Sequence, residues 1–272
     1  MRSPIADVIL AGRSATIFES TSSGATSGGE SERARVRALV RTSGSTADAP
    51  MLTRLCEVAV DELRMSGAVV SLMTPVGTGR DQSGSIAAAS SDRARSIDEL
   101  EFSLGEGPGR DAFLTSRPVL TPDLDRAFDR WPGYVPAALA AGVLATFAFP
   151  LLVGAARFGV LHFHSPEVRT LTNREIATSL FLTELAMEIV LDAFAPVGDP
   201  TPSDVPLLGA ADRRDQIYQA QGMVMVALGI SLHEALARMR ALAFASDLEL
   251  ADLAVDILSG RTRLQHDPDV AG

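Results

Sequence analysis

The residues of this chain whose types and spacing could carry chemistry are one cysteine, two alternating histidines, a glycine-rich turn and a scatter of arginines. Cys56 falls among Leu52, Leu55, Ala59 and Leu63 at helical spacing, so a buried structural thiol is expected rather than a nucleophile. A single cysteine also excludes a disulfide framework and a cysteine-based metal cluster. His162 and His164 alternate on a strand pattern and share one side of it. With no carboxylate or cysteine trio near them in sequence they make a poor metal site, and flanking the sheet surface or lining a pocket is the expectation. Gly105-Glu106-Gly107-Pro108-Gly109 lacks the Gly-Lys-Ser/Thr ending of a phosphate loop and is not a dinucleotide fingerprint. It reads as a turn into a helix at Asp111-Ala112-Phe113, whose first N–H groups are suited to an anion. Trp131 and Tyr134, among Pro132, Gly133 and Pro136, fit either a lid over a ligand or ordinary core packing. No Ser-His-Asp arrangement can be assembled, so no catalytic residue, metal or cofactor is expected.

The elements that position these residues begin with a helix from Leu52 to Met65, ending at Gly67. Strands are expected from Ala68 (AVVSLMT), at Ile86 to Ala89, at LEFSL (Leu100 to Leu104) and at RPVLT (Arg117 to Thr121). Val143 to Val153 and Arg157 to Ser165 are apolar runs joined by Gly154-Ala155-Ala156, the pattern of an antiparallel hairpin. Thr172 with Glu175 forms a capping box opening a helix through Ile176, Leu180, Leu182, Leu185, Ile189 and Phe194. Strands pairing antiparallel under packed helices give an α+β domain.

Past a proline-rich break come three short helices. Ile217, Ala220, Val224 and Leu228 mark the first, stopped at Gly229. Ser231 with Glu234 caps the second, with Leu232, Ala235, Leu236, Met239 and Leu242 inward. Ser246 with Glu249 reads as a further capping box, opening a third helix with Leu250, Leu253, Ala254, Ile257 and Leu258 inward, before Gly260. A bundle this small has little room for an active site, so binding by its outer face is expected. Residues 1–50 are expected as a flexible N-terminal segment, 51–195 as the α+β domain, 196–210 as a linker, 211–264 as the bundle and 265–272 as a disordered tail. Within the first segment, 20–31 read as a low-complexity linker, and Arg33, Arg37 and Arg41 as one face of a solvated helix or a disordered arm.

Composition narrows the class. At 46% hydrophobic and 21% charged the chain is an ordinary globular sequence. It has no lysine, all 24 basic residues being arginine, a bias of coding rather than of physics. No run of about 20 apolar residues exists to span a membrane, and no signal-peptide core opens the chain, so a cytoplasmic protein is expected. A net charge of −10 disfavours nonspecific nucleic-acid binding but leaves room for a local basic face.

Two resemblances rest on particular residues. LEFSLGEGPGRDAF (Leu100 to Phe113), RPVLTPDL (Arg117 to Leu124), RWPGYVPAALAAGV (Arg130 to Val143) and FAFPLLVGAARFGVLHFH (Phe147 to His164) resemble a GAF domain, over roughly half of the chain. QAQGMVM (Gln219 to Met225), Gly229-Ile230-Ser231, EALARMR (Glu234 to Arg240) and LADLAVDIL from Leu250 resemble an ANTAR domain. Their order is similar to a layout of actinobacterial transcription antitermination regulators. The resemblance implies a GAF sensor, an antiparallel sheet flanked by helices, followed by an all-α three-helix RNA-binding module. It implies a small-molecule ligand near Phe102, Trp131, Tyr134, Phe147 and His162. It also implies RNA contact through Arg213, Arg214, Tyr218, Gln221, Arg238 and Arg240, tandem RNA stem-loops as partner, and a homodimer. Two positions depart from the pattern: Gln221 stands where many ANTAR domains have lysine, and Gly109 where similar GAF domains often have cysteine. Residues 212–264 hold six arginines against seven acids, which supports an alternative, a ligand-controlled protein-interaction regulator whose ANTAR domain has lost RNA binding.

Overall fold

Phe147, Phe149 and Leu151 alternate with Thr146, Ala148 and Pro150 along one strand, and this period of two decides how the first unit is layered. In the computed structural model the described residues are 26–42, 50–76, 81–193 and 213–262. They divide into two compact units, 26–101 with 106–193, and 213–262 with the short stretch 102–105. The expected linker at 196–210 and tail at 265–272 lie outside the described residues, as do 1–25.

The first unit opens with helices α1 (Thr26–Thr42) and α2 (Met51–Leu63). Strands β1 (Gly67–Val76) and β2 (Asp81–Ala89) follow, then α3 (Asp92–Leu104), α4 (Pro108–Thr115) and β3 (Val119–Thr121). The short α5 (Tyr134–Ala140), the hairpin β4 (Ala145–Val153) and β5 (Ala156–Ser165), and α6 (Asn173–Ala193) complete it. All neighbouring strands pair antiparallel in the order β2-β1-β5-β4-β3. The hairpin turns in two residues, Gly154 and Ala155, with Gly154 at φ 57°, where a Cβ would be disfavoured. Thr172 and Glu175 exchange their capping-box bonds at the head of α6.

Opposite faces of the sheet have different chemistry. Ala68, Val70, Phe147, Phe149, Leu151, Leu161 and Phe163 form an apolar core with Leu52, Leu55 and Cys56 of α2 and Leu182, Ala186 and Val190 of α6. Val36 and Val40 of α1 belong to that core, and Arg33 and Arg37 pair with Glu184 and Glu188 of α6. The described part of the expected flexible segment is therefore a packed helix. The other face carries Ser71, Thr146, His162 and His164, all buried, under α3, α4 and α5.

LEFSL is the last turn of α3 and not a strand. Its buried stripe is Ala94, Ile97, Asp98 and Glu101, at helical spacing. Two members are carboxylates, so a hydropathy reading registers only the period-two run Leu100, Phe102, Leu104.

The second unit packs α7 (Arg213–Leu228), α8 (Leu232–Ala245) and α9 (Leu250–Leu258) around Ile217, Ala220, Val224, Leu236, Met239, Leu253 and Ile257. Ser231 and Glu234 make both bonds of their capping box. The second box does not form. Ser246 closes α8, Asp247 adopts the left-handed region at φ 52°, and Glu249 itself is the N-cap of α9.

Candidate functional site

The buried polar face of the sheet is built from β5 outward. His162 stands between Val69 of β1 and Ala148 of β4, and His164 between Gly67 and Thr146. Gly67 is needed there, because a Cβ would lie 2.8 Å from that of Ala94 and 3.4 Å from His164 Nδ1. α3 brings two carboxylates to the same place, three residues apart on its buried stripe. His162 Nδ1 lies 3.6 Å from Asp98 Oδ1 and 3.4 Å from Glu101 Oε1, while its Nε2 meets Thr146 Oγ1. Ser71 Oγ donates to Asp98 Oδ2 at 2.7 Å. The absence of acid near the histidines in sequence thus misled: two acids reach them through the fold.

Glu101 also holds the first turn of α4. Its carboxylate accepts from the N–H of Gly109 at 3.1 Å and of Arg110 at 3.0 Å, an anion seated on orphan N–H groups at a helix start. The glycine-rich turn exists to admit it. A Cβ on Gly107, which has φ 144°, would stand 2.6 Å from Glu101 Cγ and Cδ, and one on Gly109 would stand 2.8 Å from Oε2. Two more carboxylates stitch the same layer. Glu106 accepts from the N–H of Gly133 at 2.6 Å and of Tyr134 at 3.0 Å. Asp111 accepts from Trp131 Nε1 at 3.1 Å and Arg130 Nε at 2.9 Å.

Burial pushes the Glu101 carboxyl up to about 7, against the lowering effect of His162 and the two α4 N–H groups. For His162, burial works to lower the value, but the charges of Glu101 and Asp98 outweigh it and the net direction is up. Burial first and the neighbouring His162 second hold His164 well below the usual range, so it is neutral. Burial, reinforced by Glu101 and Asp98, holds Tyr134 well above its usual range. The Tyr134 hydroxyl has Thr146 beside it, yet neither it nor either ring nitrogen of His164 makes a hydrogen bond of ordinary geometry. Among the described residues no three His, Cys, Asp or Glu side chains are grouped as a metal ion needs. The arrangement is suited to holding or giving up protons, because its acids and imidazoles lie side by side in one buried cluster.

Of the residues expected around a ligand, Trp131, Tyr134 and His162 are buried on this side. Phe147 is not with them. It pairs with Phe163 across the hairpin and points into the apolar core, since odd and even positions of β4 face opposite ways. Phe102 falls in the stretch 102–105, outside the polar cluster. Asp98, Glu101, Glu106 and Asp111 were missed; the spacing Asp98-x-x-Glu101 before a Gly-x-Gly turn was the available signal.

In the second unit, Gln221 is a structural residue and not an exposed contact: it is buried, and its Nε2 donates to the Leu232 carbonyl at 2.7 Å. Arg214 is 2% exposed, because it shares the helical stripe of Ile217, Gln221, Val224 and Leu228. Tyr218, Arg238 and Arg240 are partly exposed, and the Arg213 side chain lies outside the described residues. Phe244, unremarked in the sequence, is 82% exposed at the end of α8.

Comparison with known families agrees with this division. A GAF domain profile matches residues 50–190, just over half of the chain. The chain belongs to the GAF domain family. An ANTAR domain follows at 207–258, so a GAF sensor fold and an ANTAR domain are joined in one regulatory protein. Similar solved structures include the GAF domain of an Acinetobacter phosphoenolpyruvate-protein phosphotransferase, at 15% identity and TM-score 0.47, covering 65% of this chain and 99% of that one. Escherichia coli SdiA is similar at 14% identity and TM-score 0.46, over 87% of this chain and 99% of that one. A free methionine-R-sulfoxide reductase from Thermoplasma acidophilum is similar at 14% and 0.40, over 58% of this chain and 96% of that one. No curated protein matches the chain. Among the described residues no single helix is long and apolar enough to cross a membrane.

Proposed function

We propose that this protein is a signal-responsive transcription antitermination regulator of the cytoplasm, which captures RNA stem-loops through its ANTAR domain under control of its GAF domain. The observation that carries the reading is the succession of the two regulatory domains in one chain. RNA is met by arginine and aromatic side chains together, phosphate by charge and unpaired bases by stacking. Arg240 and Phe244 are four residues apart on α8 and so share a face, with Phe244 open to solvent. These two, with Arg213, Tyr218 and Arg238, form the proposed RNA contact; Arg214 and Gln221 leave it. A homodimer presents two such bundles to tandem stem-loops. Control is a shift of population between two packings, without bond chemistry.

Gel-shift titration of the full chain with a tandem stem-loop RNA tests this. Binding that weakens with salt is expected, with Phe244→Ala costing roughly 10- to 100-fold, the range for one base–aromatic stack. Arg240→Ala is expected to weaken binding and flatten its salt dependence. No binding even at low salt would sink the RNA reading and leave a protein-interaction regulator, which the acidic balance of 212–264 favours.

A further inference from the structure

The polar cluster under the GAF sheet has the parts of a latch worked by a proton. Every titratable group facing Glu101 is buried. Asp98 reaches it from α3, His162 from β5 and Tyr134 from α5, and His164 of β5 lies behind, against His162 and Asp98. Ser71 of β1 and Thr146 of β4 complete the ring without titrating. The Cys56 thiol belongs to the core on the other side of the sheet; burial raises it to about 12, and it stays neutral. The cation paired with Glu101 is the imidazolium of His162, which exists only while a proton is there. Across from His162, the same Glu101 carboxylate grips the Gly109 and Arg110 N–H groups with both oxygens.

We propose that Glu101 and His162 form a proton-operated latch on α4, so that the input read by this GAF domain is the proton. With Glu101 ionised, both oxygens accept from the first turn of α4, a charge-assisted pair strengthened by the helix dipole. A proton bound at Glu101 takes one oxygen out of service as acceptor and cancels the charge that the dipole favours. The first turn of α4 loosens, and His162 is left with Asp98 alone as its ion-pair partner. Asp111, in the same first turn of α4, accepts from the indole of Trp131, so the state of the helix start is written into the environment of the one tryptophan in the chain. Gly107 and Gly109 are the structural precondition, since any side chain there would exclude the carboxylate. The inference rests on the GAF assignment but not on RNA binding.

Trp131 emission of the full chain, followed without RNA from about pH 5.5 to 8.5 across the ordinary histidine range, reads the latch. A single transition near 7 is expected in the natural sequence. Glu101→Gln, whose amide has one acceptor oxygen and no titration, is expected to abolish it. Carbon-13 carboxyl NMR of the natural protein decides the matter even if that variant does not fold: the Glu101 resonance should titrate near 7. A Glu101 midpoint below about 5, in the ordinary carboxylate range, overturns the proposal, as does a Trp131 transition that is absent or that persists in Glu101→Gln. Loss of RNA binding with the transition intact would refute the output function and leave the latch standing.

Discussion

Gly107 and Gly109 are separated by one residue, and both leave room for the same carboxylate. Gly109→Ala sets a methyl 2.8 Å from Glu101 Oε2, and overpacking of this kind costs about 1–3 kcal/mol. Gly107→Ala adds a backbone at φ 144° that a side chain rarely adopts, so urea denaturation should rank it as the more damaging of the two. The reverse ranking would mean that the carboxylate moves aside instead. Gln221 offers a second test. Its amide ties α7 to the start of α8, so Gln221→Ala is expected to lower the stability of the bundle by about 1–2 kcal/mol. RNA affinity of the folded fraction should not change; a large loss of affinity at unchanged stability would return Gln221 to the contact surface.

The hairpin β4–β5, α6 with its capping box and the helices of the bundle were legible in the sequence, because each shows its own period or cap. α3 was not, and the reason is physical: its inward stripe mixes Ala94 and Ile97 with Asp98 and Glu101, so burial and hydropathy part company where the polar cluster is built. The side of the sheet that Phe147 takes is not legible without strand parity; the register with Phe163 puts it on the face of the apolar core. The second expected cap failed because α8 runs through Ala245 and leaves Ser246 as its terminus. Ser231 is the cap that forms. Ser231→Ala should cost about 1 kcal/mol in thermal or denaturant unfolding, whereas Ser246→Ala, which breaks no capping box, should cost less. Equal losses would show that the two helix starts are held alike.

At the scale of the whole chain, the cluster sets a direction for stability against pH. The Glu101 value is raised in the folded state from 4.5 to about 7, and His162 is raised from 6.5. Between pH 6.5 and 8 the folded state therefore holds more protons than the unfolded chain, and stability falls as pH rises. His164, lowered on folding, works the other way, but its effect fades above its ordinary value of 6.5. The expected slope is up to about 1.4 kcal/mol per pH unit for each proton so held. Denaturant midpoints taken across that window should drift down in the natural protein and flatten in Glu101→Gln; a midpoint that climbs would contradict the assignment. Acidification thus loosens the start of α4 while it steadies the molecule, which separates the latch from general acid unfolding. The buried thiol has a consequence of a different kind. Cys56 is the one cysteine of the chain, has no exposure and stays protonated until about pH 12, so maleimides and methanethiosulfonates should pass it by. A cysteine introduced at exposed Val226 or Arg126 would then be the sole labelled position. A spin label or dye can thus be attached to either unit of this protein without first removing a native thiol.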